Sequence, residues 1–199
     1  MGKKILYDGW VIPPTEENFG FGYRLKIEED EETGKVKRQH MYSLPNVVQV
    51  MGLTEGGEVI AIHEWQSGLE SFYTHLVGGT VQGKETPEET ARRELLEETG
   101  YLTGRLTLLT TLLQDTGRSD RKQFLFLAED CKKFGPGEKE IKVKLFTPEE
   151  FWKFLMTYFL TNPEKAHGGG NSLSTAVLAF QKLGFIALDM SSFARRITQ

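Results

Sequence analysis

Three glutamates crowd one side of a short stretch of this chain, and their spacing asks for a cation. The stretch runs Thr86-Pro87-Glu88-Glu89-Thr90-Ala91-Arg92-Arg93-Glu94-Leu95-Leu96-Glu97-Glu98-Thr99-Gly100. As a helix, at about 100° per residue, it projects Glu94, Glu97 and Glu98 to one side, and Glu98 borders the narrow apolar stripe of Ala91 and Leu95. Glu94 and Glu98 are four apart, where like charges are neighbours and destabilise a bare helix. A solvated face explains Glu89 and Arg92 well and Glu98 poorly. Protonation or a divalent cation relieves the repulsion. Oxygen ligands with no His or Cys nearby suit Mg²⁺, with Mn²⁺ as a substitute, better than Zn²⁺. Such ions bridge to substrate phosphates, activate a water and neutralise a departing phosphate, which is a mechanism for pyrophosphate hydrolysis.

The helix has clear bounds. Thr86 is the cap, Pro87 takes the first helical position, and Glu89 at the third can bond back to the cap; Gly100 supplies the stop. The same start recurs at Thr147-Pro148-Glu149-Glu150, opening a helix to about Leu160, and a final helix spans Ser174 to Leu183. Around these lie strand-like runs. Ile5 to Ile12 and Phe21 to Ile27 come first, and Val36 to Tyr42 returns across the acidic turn Glu28 to Gly34. Pro45 ends this first lobe. Val47 to Leu53 and Glu58 to His63 flank the turn Glu55-Gly56-Gly57, a hairpin signal. A polar stretch from Glu64 to Ser71, holding Trp65, separates them from a strand Phe72 to Val77 that ends at Gly78-Gly79. Leu106 to Leu113, Lys122 to Ala128 and Glu140 to Phe146 read as further strands. Many strands with dispersed helices point to α/β layers or α+β, with one helix on each side of a mixed sheet.

The bulk figures set the frame. At 199 residues the chain fits one domain, or a core with a small lobe, and can bury a sizeable core. The net charge of −4 argues against a nucleic-acid partner, which calls for clustered Lys and Arg. The lone Cys131 makes no intramolecular disulfide and reads as a buried structural thiol. No apolar run is long enough to span a bilayer. No hydrophobic secretory segment follows Met1-Gly2-Lys3-Lys4, so no membrane association and a cytoplasmic location are expected.

The segment Gly79-TVQGK-Glu85-TPEETAR-Arg93-Glu94-Leu95-Leu96-Glu97-Glu98-Thr99-Gly100-Tyr101 resembles the Nudix box, G-x5-E-x7-R-E-U-x-E-E-x-G-U, with every fixed letter at the right spacing. Only Tyr101 departs, being aromatic where an aliphatic residue is usual. The resemblance implies a Nudix α/β/α sandwich around a mixed sheet. It implies that Glu94, Glu97 and Glu98 hold metal, Glu94 and Glu98 as the principal pair, with the Gly79 carbonyl as an added ligand. Arg93 would orient Glu97, and Glu85 would fix the loop–helix geometry. Beyond the box the chain is similar to ADP-ribose pyrophosphatases and related nucleotide-sugar hydrolases. That likeness implies residues 1–44 as an N-terminal antiparallel β lobe that exchanges contacts in a homodimer, and residues 45–199 as the hydrolase domain. It also implies that Glu140 or Glu138, before the strand Ile141-Lys142-Val143, positions or deprotonates the attacking water.

Three positions depart from that subfamily. Gln114 to Arg118 holds no proline, the usual Tyr-Arg pair is Trp65-Gln66, and Ser-Asp-Glu becomes Ser119-Asp120-Arg121. The nucleoside diphosphate-X substrate therefore stays open as to base and X, with ADP-ribose or a nucleotide sugar foremost. A triphosphate or dinucleotide pyrophosphatase and a non-catalytic nucleotide-sugar sensor are the alternatives, and the intact box favours an enzyme. Among Phe19, Phe21, Tyr23, Trp65 and Tyr73, Trp65 is the candidate to stack on a base. Gln66 stands at a substrate-facing position, and Arg118 with Arg121 is placed to contact phosphates. His167 to Asn171 reads as a flexible connector rather than a phosphate loop.

Overall fold

The structure, a computed structural model, describes residues 2–17, 20–67, 69–114, 116–161 and 170–186. Phe19 and His167 to Gly169, singled out in the sequence, lie outside the described residues. Strands β1 (Lys3–Ile12), β2 (Gly22–Asp30) and β3 (Val36–Ser43) form an antiparallel sheet of their own, in that order. The acidic turn is shorter than the sequence suggests, because β2 continues to Asp30. Its carboxylate accepts the Glu32 and Thr33 N–H groups and the Thr33 hydroxyl, and Gly34 closes the turn at φ 66°, a conformation glycine adopts without strain.

The rest of the chain continues as β4 (Val47–Thr54), β5 (Val59–Gln66), β6 (Ser71–Thr80), α1 (Pro87–Thr99), β7 (Tyr101–Leu102), β8 (Arg105–Leu113), β9 (Lys122–Lys133), β10 (Lys142–Phe146), α2 (Pro148–Thr161) and α3 (Gly170–Lys182). The sheet order is β10-β5-β6-β4-β9-β7, with β8 also on β9. β4 and β9 run parallel, from Val47↔Gln123 to Gly52↔Ala128, which makes the sheet mixed.

Side chains on successive strand residues face opposite ways, and both faces are used. Val48, Val50, Ile60, Ile62, Val77 and Phe126 pack against Ala91 and Leu95 of α1. On the opposite face, Met51, Val59, Ala61, Leu76 and Leu127 pack against Phe151 and Leu155 of α2 and Ala176, Ala179 and Phe180 of α3. The result is an α/β/α sandwich, with two helices on one face where the sequence suggested one. Buried Gln49 ties α3 to the sheet: it donates to Ser172 Oγ and accepts from Thr175 Oγ1.

Two local expectations change. The hairpin of β4 and β5 is paired only at Gly52↔Ile60 and Leu53↔Val59. β6 wedges between them and takes Val47 to Val50 of β4. The stretch beginning at Glu64 is not all loop: β5 runs through Gln66 and pairs with β6 as far as Gln66↔Ser71. Trp65 therefore stands on a strand end rather than in a polar loop.

Candidate active site around the carboxylate helix

The helix forms as its sequence directs. The Thr86 hydroxyl accepts the Glu89 N–H and the Glu89 carboxylate accepts the Thr86 N–H, a complete capping box. Gly100 ends the helix at φ 70°, its N–H reaching the Leu96 carbonyl. A cap is worth about 1 kcal/mol and burial of Leu95 about 2 kcal/mol, against a few tenths for a like-charge pair on a helix. Packing and capping therefore hold the acids in place against their repulsion. The turn after β9 closes the far end. Phe134 and Gly135 N–H groups donate to the Gly100 carbonyl, and the Glu138 N–H donates to Glu97 O at 3.0 Å.

Arg93 is the hub of the acidic cluster. It donates to both Glu85 oxygens at 2.8 and 3.0 Å, to Glu94 Oε1 at 2.8 Å, to Glu97 Oε2 at 2.9 Å and to the Thr80 carbonyl at 3.2 Å. The bidentate Arg93 contact holds the Glu85 carboxyl down at about 2. Glu94 and Glu98 are different: both are buried, each 9% exposed. Burial, opposed by Arg93, raises the Glu94 carboxyl above the usual range. Burial first, and the Glu94 charge second, push Glu98 up to about 8, although the Gly78 N–H donates to it at 3.3 Å. Charges on Glu64 and Glu138 add to that rise. Glu97 is half-exposed and turned to Arg93.

Does this constellation suit a divalent cation? Among the described residues, no group of three or more His, Cys, Asp or Glu side chains already converges to hold one. Glu97 and one Glu94 oxygen are spoken for by Arg93. What remains is two adjoining buried carboxylates that repel each other, beside Gly79. That set fits an ion which completes its shell with water and substrate oxygens, the habit of Mg²⁺.

Two neighbouring glycines have distinct reasons to lack a side chain. A Cβ on Gly79 would overlap the Glu94 carboxylate, the far end of a flexible side chain, whereas one on Gly78 would lie 2.7 Å from the Val48 carbonyl oxygen, which is backbone. Gly79→Ala is expected to lower turnover at least about tenfold while the melting temperature changes little. Gly78→Ala is expected to lower the melting temperature by several degrees. Thermal melts and kinetics on both variants check this; equal destabilisation would remove the special place of Gly79.

The sequence expectations are distributed as follows. Arg93, Glu94, Glu97, Glu98, Gly79 and Glu138 come together at the end of α1. Glu140 is exposed on the turn before β10, and its charge is not among those raising Glu98. Trp65 is 51% exposed and meets Phe72 edge-on. Gln66 donates to Glu64 Oε1 at 2.6 Å. Arg118 lines a separate cavity of about 290 Å³ with Trp10, Arg24, Tyr42, Ser119 and Asp120, where the β8–β9 loop meets β3 through Tyr42 N–H···O Arg118. Arg121 has a buried Nε with no hydrogen-bond partner among the described residues. Glu64 and His75 were missed, because a strand ending in Glu64-Trp65-Gln66 reads as loop by composition.

Fold and site together define a class: an α/β/α sandwich carrying an arginine-clamped glutamate helix at the end of a glycine-bearing strand. The chain belongs to the NUDIX domain family, whose model matches residues 43–164. Over 131 residues it is 35% identical to the ADP-ribose pyrophosphatase of Bacillus subtilis (strain 168), a match spanning 65% of each protein. Over 134 residues it is 26% identical to the methanol dehydrogenase activator of Bacillus methanolicus, spanning 67% of this chain and 71% of that one. A crystal structure of an ADP compounds hydrolase shares the fold with a TM-score of 0.70 at 20% identity, covering 92% of this chain and 95% of the other.

Proposed function

We propose that this chain hydrolyses the phosphoanhydride bond of a nucleoside diphosphate linked to a second moiety, ADP-ribose or a nucleotide sugar. The products are a nucleoside monophosphate and a sugar phosphate, and the cation is Mg²⁺. The observation that carries this reading is the buried pair Glu94 and Glu98, two adjoining carboxylates with raised proton affinity on a helix anchored by Arg93. The 35% identity to an ADP-ribose pyrophosphatase supports ADP-ribose as the first substrate to try.

Glu94, Glu98 and the Gly79 carbonyl would hold the cation, with Glu97 as a further ligand once released from Arg93. When bound, the cation supplies positive charge to a phosphoryl oxygen and to the departing phosphate. Arg93 is a positioning residue: its fork fixes Glu85, Glu94 and Glu97 together. Of the two loop acids, Glu138 is supported over Glu140 as the one near the attacking water, because its N–H is tied to Glu97 O and its charge reaches Glu98. Arg118, Arg121, Trp65 and Gln66 remain the substrate-binding candidates, Arg118 through the cavity it lines. A panel of ADP-ribose, nucleotide sugars, dinucleotides and triphosphates with Mg²⁺ tests the reading; turnover confined to the triphosphates, or absent throughout, would overturn it.

A homodimer and the division at residues 44 and 45 belong to this proposal. Ile5, Tyr7, Trp10 and Ile12 on β1 are each between 42% and 56% exposed, a run of apolar area that solitary domains rarely leave bare. Sedimentation should give a dimer at micromolar concentration, and a monomer there would count against it. No helix among the described residues is long and apolar enough to cross a membrane; the cytoplasmic location rests on the sequence, and cell fractionation tests it.

A further inference from the structure

Strands β5 and β6 carry an arrangement that the glutamate helix does not account for. Ile62 and Val77 pack under Ala91 and Leu95, and alternation along a strand puts Glu64 and His75 on that same side of the sheet. His75 Nδ1 is 2.8 Å from the Leu76 carbonyl oxygen and Nε2 is 3.0 Å from Glu64 Oε1. The Leu76 carbonyl only accepts, so Nδ1 carries a hydrogen, and Nε2 lies between Glu64 Oε1 and the Gln66 amide nitrogen, 3.3 Å away. The Gln66 amide donates to the same Oε1 at 2.6 Å. Gln66 and His75 thus both meet Glu64 at Oε1, and Oε2 has no hydrogen-bond partner among the described residues.

A structural pair closing the β5–β6 hairpin would explain the contact. It would not explain why a carboxylate is set where its charge reaches Glu98, since another negative charge there is costly. The side chains of Glu64 and His75 are only 23% and 15% exposed, so the pair is not a solvated surface bridge of the kind worth little. A carboxylate with one oxygen fixed and the other free, next to the acidic centre, has the form of an oriented general base.

We propose that Glu64 accepts the proton of the attacking water at Oε2, and that His75 and Gln66 are positioning residues holding Oε1. This rests on the hydrolase reading. In the step, the water oxygen forms the new bond to phosphorus and its proton passes to Glu64 Oε2. The phosphoanhydride P–O bond breaks, and its electron pair leaves on the departing phosphate. Glu138, by contrast, sits on an exposed turn. Glu64 lies on a paired strand, which fixes a base more closely.

The test uses the full chain with a nucleoside diphosphate sugar and Mg²⁺. Glu64→Gln is expected to lower kcat at least about 100-fold, the lower range for a general base, with KM little changed and an unaltered melting temperature. High formate should restore part of the activity of Glu64→Ala, and should not restore that of His75→Gln. Near-normal kcat in Glu64→Gln, with Glu98→Gln inactive, overturns the role of Glu64 and leaves the hydrolase reading standing. So does a Glu64→Ala variant that folds but is not rescued by formate. Absence of turnover by the unaltered chain on any diphosphate overturns both.

Discussion

Glu98→Gln is expected to cut kcat at least about 10³-fold, about 4 kcal/mol of barrier, while raising the melting temperature of the metal-free chain at pH 8. The two effects have one cause. Glu98 is buried beside Glu94, which disfavours its charged form. The amide removes that charge, keeps the side-chain volume, and still offers an oxygen to the Gly78 N–H that Glu98 accepts at 3.3 Å. Stability gained as activity is lost is what a site held under electrostatic strain should show. Kinetics and a thermal melt on one preparation decide it. Near-normal turnover would remove Glu98 from the metal site, and a lower melting temperature would contradict the burial argument.

Stability of the metal-free chain should fall as pH rises from about 5 to about 8, and a divalent cation should reverse the fall. The sign follows from proton binding. The folded Glu98 carboxyl is raised from 4.5 to about 8, so between those values the folded state holds a proton that the unfolded state has released. The stabilisation is complete below the unfolded value and is lost as pH climbs through the folded one, a loss on the order of a few kcal/mol. Glu85 works oppositely: held down at about 2 by Arg93, it contributes above 4.5 and is lost as pH falls toward 2. Melts from pH 5 to 8.5, with EDTA or with Mg²⁺, should diverge as pH rises. Parallel curves would mean that Glu98 does not meet the cation.

Local chemistry was the legible part of this chain. Both capping boxes could be read from four residues each, and the contacts of Thr147 with Glu150 repeat those of Thr86 with Glu89. The box glutamates could be read because spacing along a helix fixes direction. The sequence also paired β2 with β3 correctly. What it could not show was a strand inserted from a distance. β6 enters between β4 and β5, and nothing in the Glu55-Gly56-Gly57 turn records the partner that separates its two arms. Glu64 and Gln66 were misread for a related reason. Polar residues on a strand usually mean water on that side, but here they face other polar groups, the Glu64–His75 contact among them. The Gly135–Gly137 turn that brings Glu138 to the end of α1 was equally hidden, since its value lies in what it touches.

The joint at Tyr42 bears on how such a protein can change over generations. The glutamate helix is capped by its own neighbours, packed on β4 and β6, and closed by the turn after β9. The cavity lined by Trp10, Arg24 and Arg118 instead straddles the boundary between two sheets, where Tyr42 bridges to Ser119. A substitution at Trp10 or Arg24 alters the shape of that cavity without touching a group that holds Glu94 or Glu98. With Arg118 taken as the substrate contact proposed above, reaction and choice of ligand are open to independent variation. On that assignment, a lineage that varies the seam would change its ligand while inheriting the carboxylate helix intact.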